Sequence, residues 1–381
     1  MKEMKMNSFE EIVKNDEVKN YFVHSSILID VDGASLNNWG SDATNTQGMD
    51  NTSAVKKVTK NGRTHSVVSG QAWRYWWRES LGLNGWSLSP VTKVSSKNVA
   101  YTDANPLEYA DDDIFGYMRA SKDELKDEEG NVVLVGGKSK NKDKPKMVDI
   151  TVTRISPLKN SILTSVTSIN KKELNERSSM TRQDGDSVLY EKQSYSTVLK
   201  GMFSLDLDQV GTFTKVNRSG FKNVTDTTYD KVLESGSEVD DLINPNVKRA
   251  RLENSIRRDR AKETILALKT IAGGAKRTTN YVSVKPDFII LAVLKGGNNI
   301  FDNIAVEENG RATLSIDALK EAIEDNKEYL RSDIYIGKMS GFMDDVSLNI
   351  LKSEISDIEI HTDSINKTID NFTKILDTVV V

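Results

Sequence analysis

An α+β fold, one sheet domain carrying projecting loops, is what three features of this sequence predict. Apolar, β-branched runs such as "YFVHSSILIDV" (21–31) and "DFIILAVL" (287–294) read as core strands. Helix-forming stretches separate these runs, among them "SGQAWRYWWRES" (69–80) and a basic segment reaching Ala272. Long polar insertions lie between the elements and are too hydrophilic to pack inside a layer.

The elements follow in order. The first strand, 21–31, runs into the polar loop "DGASLNNWGSDATNTQGMDN", which is rich in turn formers. The helix from Ser69 comes next. At about 100° per residue, Trp73, Trp76 and Trp77 share one side of it, with Gln71, Arg74, Tyr75 and Arg78 opposite. Ser69 is a good N-cap, which leaves Gly70 and Gln71 at the first helical positions with unpaired N–H groups. "DDDIFGYMRA" (111–120) reads as a short ordered element, and Tyr101, Tyr109, Phe115 and Tyr117 as packing residues. An acidic surface stretch, "SKDELKDEEG", leads into a strand, "NVVLV". "GGKSKNKDKPK" (136–146) alternates lysine with polar residues and reads as a mobile loop. "MVDITVTRISPL" and "VLKGMFSLDLDQV" read as strands, and Asp184-Gly185 between them as a hairpin tip. A basic helix of about 20 residues then ends at Gly273-Gly274, the first glycine serving as a left-handed C-cap. The apolar run 287–294 is a central strand covered on both faces. The last stretch of the chain reads as helices joined by polar links.

Composition narrows the chemistry. With no cysteine there are no disulfides, thiolate metal sites or cysteine nucleophiles. The three histidines, His24, His65 and His361, are too far apart in sequence to suggest a histidine-rich metal centre. No apolar run approaches membrane-spanning length and no signal-peptide pattern opens the chain, so the expectation is a soluble, cytoplasmic protein. No Walker motif, dinucleotide fingerprint or nucleophile elbow is present.

Net charge is −4, yet "NVKRARLENSIRRDRAK" (246–262) holds seven Lys/Arg against Glu253 and Asp259, a local +5. That pattern fits a groove for one polyanion, and equally a solvated basic helix. The helix start beside Arg74 and Arg78 suits phosphate oxygens, because free N–H groups and the helix dipole both favour an anion. Gly273-Gly274-Ala275-Lys276-Arg277 is a second candidate: bare backbone approaches a phosphate closely while the cations neutralise it. The aspartate groups Asp30/Asp32, Asp111–Asp113 and Asp184/Asp186 read as solvated turn or cap residues in preference to metal ligands.

Five blocks in a fixed order then carry a resemblance: "SGQAWRYWWRE", "DIFGYMRA", "TRISPLKNSIL", "YSTVLKGMFSLDLDQVGTF" and "AGGAKRTTNYVSVKPDFIILAVL". Over residues 20 to 297 the chain resembles the DevR-type autoregulator family of CRISPR-associated proteins, the guide-RNA-binding backbone subunits of type I-B Cascade. The resemblance implies a modified RNA-recognition-motif (ferredoxin-like) palm over 1–381, with a finger-like insertion at 82–150. It also implies a thumb hairpin at 169–195 and a C-terminal helical region, 298–381, completing the palm. Copies would stack head to tail along CRISPR guide RNA, display it for pairing with target DNA, and join other Cascade subunits, with no membrane, cofactor or metal and no catalytic role. Ser69, Gln71, Arg74 and Arg78 would meet the RNA backbone, as would Gly273, Gly274, Lys276 and Arg277. Met180 and Arg182 would be the thumb's wedge. The absence of the aromatic base-stacking pattern fits a protein that grips phosphates and leaves sequence reading to base pairing.

Three other readings compete. Type III-like backbone subunits cleave target RNA with a metal and an aspartate after the first strand, where Asp32 and Asp42 lie here. A DNA-binding transcription regulator is a second alternative, although no helix-turn-helix is evident. A plain structural protein with a basic helix against acidic neighbours is the third.

Overall fold

The computed structural model describes residues 9–37, 52–94, 99–120, 122–124, 132–134, 144–149, 151–169, 173–216, 222–343 and 345–381. Asp42, most of the lysine-rich loop expected at 136–146 and most of the acidic stretch before it lie outside these residues. The chain divides into two compact units. One comprises Met1–Gly85, Leu158–Leu207 and Ala261–Val381; the other comprises Trp86–Pro157 and Asp208–Arg260.

The first unit is built on a large sheet. Its centre is the first strand, Tyr21–Ala34, flanked on one side by Phe288–Lys295 and on the other by the long strand Val188–Asp206, both antiparallel to it. The short strands Leu158–Asn160 and Leu163–Ser165 pair antiparallel with the far side of the long strand. Beyond Leu163–Ser165 lie Arg63–Val68 and Lys57–Lys60. On the opposite side, Ile334–Lys338 and then Ile360–Asp363 extend the sheet. The apolar run 287–294 is therefore the central, two-faced strand its composition requires, with Phe288 to Leu294 all buried.

Alternation along the strands sets the two faces. The tryptophan helix, Gly70–Leu83, packs on one face. Trp77 meets Phe203 edge-on with ring centroids 5.0 Å apart, and its indole N–H donates to Thr264 O at 2.8 Å. Trp73, Trp76 and Trp77 are all buried, as the helical spacing predicts. On the other face, Leu28, Phe288, Ile290, Ala292 and Leu294 pack into one cluster with Phe301, Ile304, Leu319, Ile323, Leu348 and Leu351.

Three expectations are corrected. "MVDITVTRISPL" is three short strands, Met147–Asp149, Val152–Arg154 and Leu158–Asn160, each of which pairs with a different strand. The C-terminal region is not purely helical. Strands Ile334–Lys338 and Ile360–Asp363 join the sheet between the helices Ile316–Asp325, Val346–Glu354 and Ile365–Val379. The basic helix runs only over Asn254–Leu266, followed by a 3₁₀ turn, Ala267–Lys269. A short strand, Lys248–Arg251, precedes it.

The second unit explains where the basic charge goes. Asp111, Asp112 and Asp113 are buried, not solvated. Asp113 Oδ1 accepts from Arg154 at 2.5 Å, while Oδ2 accepts from Arg260 at 2.8 Å and from Gly211 N at 2.9 Å. Asp111 and Asp112 accept from the backbone N–H groups of Ser89 and Asn105. Asp208 binds Arg249 through both oxygens, at 2.6 and 3.2 Å, and also Arg251. Arg257 is fully buried on Val210 O, and burial together with the neighbouring Arg251 pushes it down to about 9. So three of the seven cations in 246–262 are turned inward and not available to a partner or to solvent. These buried arginines, 249, 257 and 260, are counter-ions and donors of a folded interior.

Among the described residues no helix is long and apolar enough to cross a membrane.

Candidate nucleic-acid interface

The helix start forms as its sequence requires. Ser69 is extended (φ −63°, ψ 146°), and its hydroxyl accepts from Ala72 N at 3.3 Å. Ser69 N donates to Asn37 Oδ1 at 3.1 Å, which ties the helix start to the residues following the first strand. Gln71 is exposed on the first turn. A helix N-terminus held in this way presents N–H groups and the positive end of the dipole to solvent.

Arg74 does more than face outward. It is half-buried, and its Nη1 donates to Leu158 O at 2.7 Å and to Asn160 Oδ1 at 2.9 Å. Asn160 Nδ2 in turn donates to Gly70 O at 3.2 Å, so the arginine, the asparagine and the helix start form one linked group. Burial and the adjacent Arg78 push the Arg74 guanidinium down to about 10. It stays charged at neutral pH, and crowding of two cations on one helix face favours an anion beside them. Arg78 is half-buried.

The glycine turn sits against this helix. Gly273 is not the left-handed cap expected, since the helix has ended at Leu266 and the positive-φ glycine is Gly274, at +98°. What Gly273 supplies is clearance: a Cβ there would lie 2.1 Å from the Trp76 indole. Gly274 combines its left-handed backbone with close passage over Leu36, whose Cδ2 would be 2.5 Å from an added Cβ. Ala275 N donates to Leu36 O at 3.0 Å. Lys276 adopts φ +55°, and its carbonyl accepts from Thr279 N at 3.1 Å and Asn280 N at 2.8 Å, closing a turn that leaves Arg277 exposed. Gly273→Ala is therefore expected to lower stability by about 1–3 kcal/mol through overpacking on Trp76. Thermal denaturation checks this, and a wild-type melting temperature would contradict the packing role.

A third element arrives from the long strand, without any local signal in the residues around it. Lys192 Nζ pairs with Glu176 at 2.6 Å and donates to Asn280 Oδ1 at 3.0 Å. Asn280 Nδ2 donates to Gly33 O at 2.8 Å. Burial and the Lys192 charge push the Lys276 ammonium below its usual range, with Glu176 opposing them. The helix start, the residues after the first strand, the glycine turn and the hairpin root are thus joined through Asn37, Leu36 and Asn280.

The hairpin forms with its tip where Asp184-Gly185 predicts. Glu173–Met180 pairs antiparallel with Val188–Asp206 in the register Met180↔Val188, and Gln183 closes the tip on Met180 O and Asp186 O. Met180 and Arg182 are exposed there. Met180 lies four rungs beyond the Glu176–Lys192 pair, roughly 13 Å along the strand, and Arg182 lies past it in the tip. The helix start and the glycine turn are thus linked through Asn37 and Leu36, while the two hairpin residues stand apart from them.

The candidate cleavage aspartate, Asp32, accepts from Ser196 Oγ at 2.5 Å. Its neighbour Asp30 is raised above the usual carboxylate range by burial and by the Asp32 charge.

Two solved structures share an overall likeness, one titled "CRISPR RNA-guided surveillance complex" and the other the same complex in a pre-nicking state. Both are 11% identical to this chain and cover 93% of it, with TM-scores of 0.47 and 0.48; this chain covers 98% and 100% of theirs. No curated protein matches the sequence. Residues 26–309 match the family model described as "CRISPR-associated negative auto-regulator DevR/Csa2". That span takes in most of the first strand, the tryptophan helix, the hairpin and the glycine turn, and the chain belongs to the DevR/Csa2 family.

Proposed function

We propose that this chain is the backbone subunit of a type I-B-like Cascade complex, holding CRISPR guide RNA by its phosphates for pairing with target DNA. The observation that carries the reading is the meeting of the Ser69 helix start with the Lys276–Arg277 turn. Two separate stretches suited to anions are tied to the residues after the first strand, Ser69 N donating to Asn37 Oδ1 and Ala275 N to Leu36 O. Family membership supports it.

The sheet supports an RNA-recognition-motif palm as well. In the order Phe288–Lys295, Tyr21–Ala34, Val188–Asp206, Leu163–Ser165, all neighbours are antiparallel. The tryptophan helix lies between the first strand and Leu163–Ser165 in sequence, and the basic helix between the long strand and Phe288–Lys295. That is the split β-α-β-β-α-β order of ferredoxin-like domains. The face opposite the tryptophan helix, which such modules use to stack bases, is here packed under Phe301, Ile304, Leu319 and Leu351. A buried sheet face suits a protein that holds the backbone and leaves the bases to a pairing strand. On this reading the hairpin acts as the thumb, with Met180 and Arg182 at its tip, and the chain cleaves nothing on its own.

Copies of the chain should then align along RNA. Each bound copy raises the local concentration of sites for the next, so assembly follows RNA length by mass action. Mass photometry on single-stranded RNAs of graded length is expected to show one further copy per fixed increment. Stoichiometry that stays constant as the RNA doubles in length would contradict the assembly.

A further inference from the structure

Beside the Lys276–Arg277 turn stands a side chain that the phosphate grip does not use. Tyr281 is 84% exposed, among the highest values for a large apolar residue here. Single exposed apolar residues are common and by themselves call for no explanation. This one differs in how its backbone is held. On its N-terminal side, Asn280 is fixed at four points: N to Lys276 O at 2.8 Å, Nδ2 to Gly33 O at 2.8 Å, and Oδ1 accepting from Lys192 at 3.0 Å and Thr279 at 3.0 Å. On its C-terminal side, Val284 is buried and leads into the central strand Phe288–Lys295. Tyr281 thus stands exposed on anchored backbone, directly after the residue that binds Lys192 and closes the Lys276–Arg277 turn.

An aromatic ring held in water next to cations matches the composition of single-strand nucleic-acid sites, in which charge tracks the backbone and a ring meets a base. Proteins also stack tyrosine on methyl groups or cations, but the charges beside this ring are themselves cationic and disfavour a cationic ligand. We propose that Tyr281 is a nucleobase-stacking platform: it receives one base of a single-stranded RNA whose adjoining phosphates lie on Lys276, Arg277 and Lys192. This rests on the RNA-backbone reading above and adds a base contact that is tolerant of sequence, since every base offers a flat face. It also gives each copy a fixed point on the strand, which a grip on phosphates alone lacks.

The test is fluorescence anisotropy with labelled single-stranded RNA and with the same RNA carrying abasic residues throughout. Three proteins are compared: wild type, Tyr281→Ala and Tyr281→Phe. Because the side chain is exposed, all three should melt together. With intact RNA, Tyr281→Ala is expected to bind about tenfold more weakly than wild type, and Tyr281→Phe to bind as wild type does. With abasic RNA the difference between wild type and Tyr281→Ala should vanish, and the salt dependence should be the same for all three. Wild-type affinity of Tyr281→Ala for intact RNA overturns the stacking platform alone. A tenfold loss that persists on abasic RNA also overturns it, because the ring would then serve the backbone. Failure of the wild type to bind either RNA overturns the RNA-backbone reading itself.

Discussion

Trp77→Ala is expected to destabilise the protein by about 3–5 kcal/mol and to yield insoluble protein in place of a soluble non-binder. The side chain is fully buried, lies edge-on to Phe203, and donates its indole N–H to Thr264 O at 2.8 Å. Truncation removes the largest kind of side chain from the seam between helix and sheet, and leaves the Thr264 carbonyl without that donor. The T-shaped pair adds about 0.5–1.5 kcal/mol beyond burial. The same helix positions Ser69, Gln71, Arg74 and Arg78, so the apolar face and the anion-facing side stand or fall together. Chemical denaturation measures the loss, and a soluble variant with wild-type stability would show that the helix is oriented otherwise.

Asp113→Asn should cost a comparable amount, about 3–5 kcal/mol. Asp113 is fully buried and its carboxylate is shared by Arg154 and Arg260 and by the backbone of Gly211. The amide keeps the shape and removes the charge, stranding two buried guanidiniums without their counter-ion. One amide nitrogen would also face a donor. Arg258→Ala is the control: that arginine is half-buried and donates only to Asn254 O among its described bonds, so its loss should stay within about 1 kcal/mol. Equal stability of Asp113→Asn and Arg258→Ala would refute the buried network.

These two effects mark what the sequence made legible and what it did not. The tryptophans were readable because helical periodicity is local: positions 73, 76 and 77 must share a face wherever the helix lies. The hairpin tip and the central strand were readable for similar reasons, from a turn dipeptide and from an unbroken apolar run. The fate of the basic stripe was not, because charge complementarity depends on partners far away in sequence. Arg260 finds Asp113 at a separation of 147 residues, and Arg249 finds Asp208 at 41. Read alone, seven cations in 17 residues look like a surface for a polyanion. The late strands Ile334–Lys338 and Ile360–Asp363 were hidden by their shortness and by the amphipathic helices around them. Within the candidate site, Gly273 has no left-handed backbone for the cap role expected of it, and its requirement is clearance. A paired glycine after a helix looks like a cap, and only the position of the Trp76 ring shows that the requirement is space. Lys192 and Asn280 had no local signature at all, for their place in the site depends on the hairpin root reaching the glycine turn.

Arg74 illustrates the difference between a residue type and its role. Its position on the polar side of the helix was evident, but its hydrogen bonds to Leu158 O and Asn160 make it part of the scaffold as well. Charge reversal there would disturb the fold and confound any binding assay. The exposed Arg277 and the neighbouring Lys276, on a turn closed by its own backbone, offer the cleaner probe.

The central claim is that this turn and the adjoining helix start hold RNA phosphates. The most direct test is the affinity of Lys276→Ala/Arg277→Ala for single-stranded RNA across a salt series, compared with wild type at matched melting temperature. Two lost charge-assisted contacts should weaken binding by roughly 3 kcal/mol, about a hundredfold. They should also flatten the slope of log affinity against log salt by about 1.4, as two fewer counterions are released from a single strand. A folded double variant with wild-type affinity and an unchanged slope would contradict the assignment.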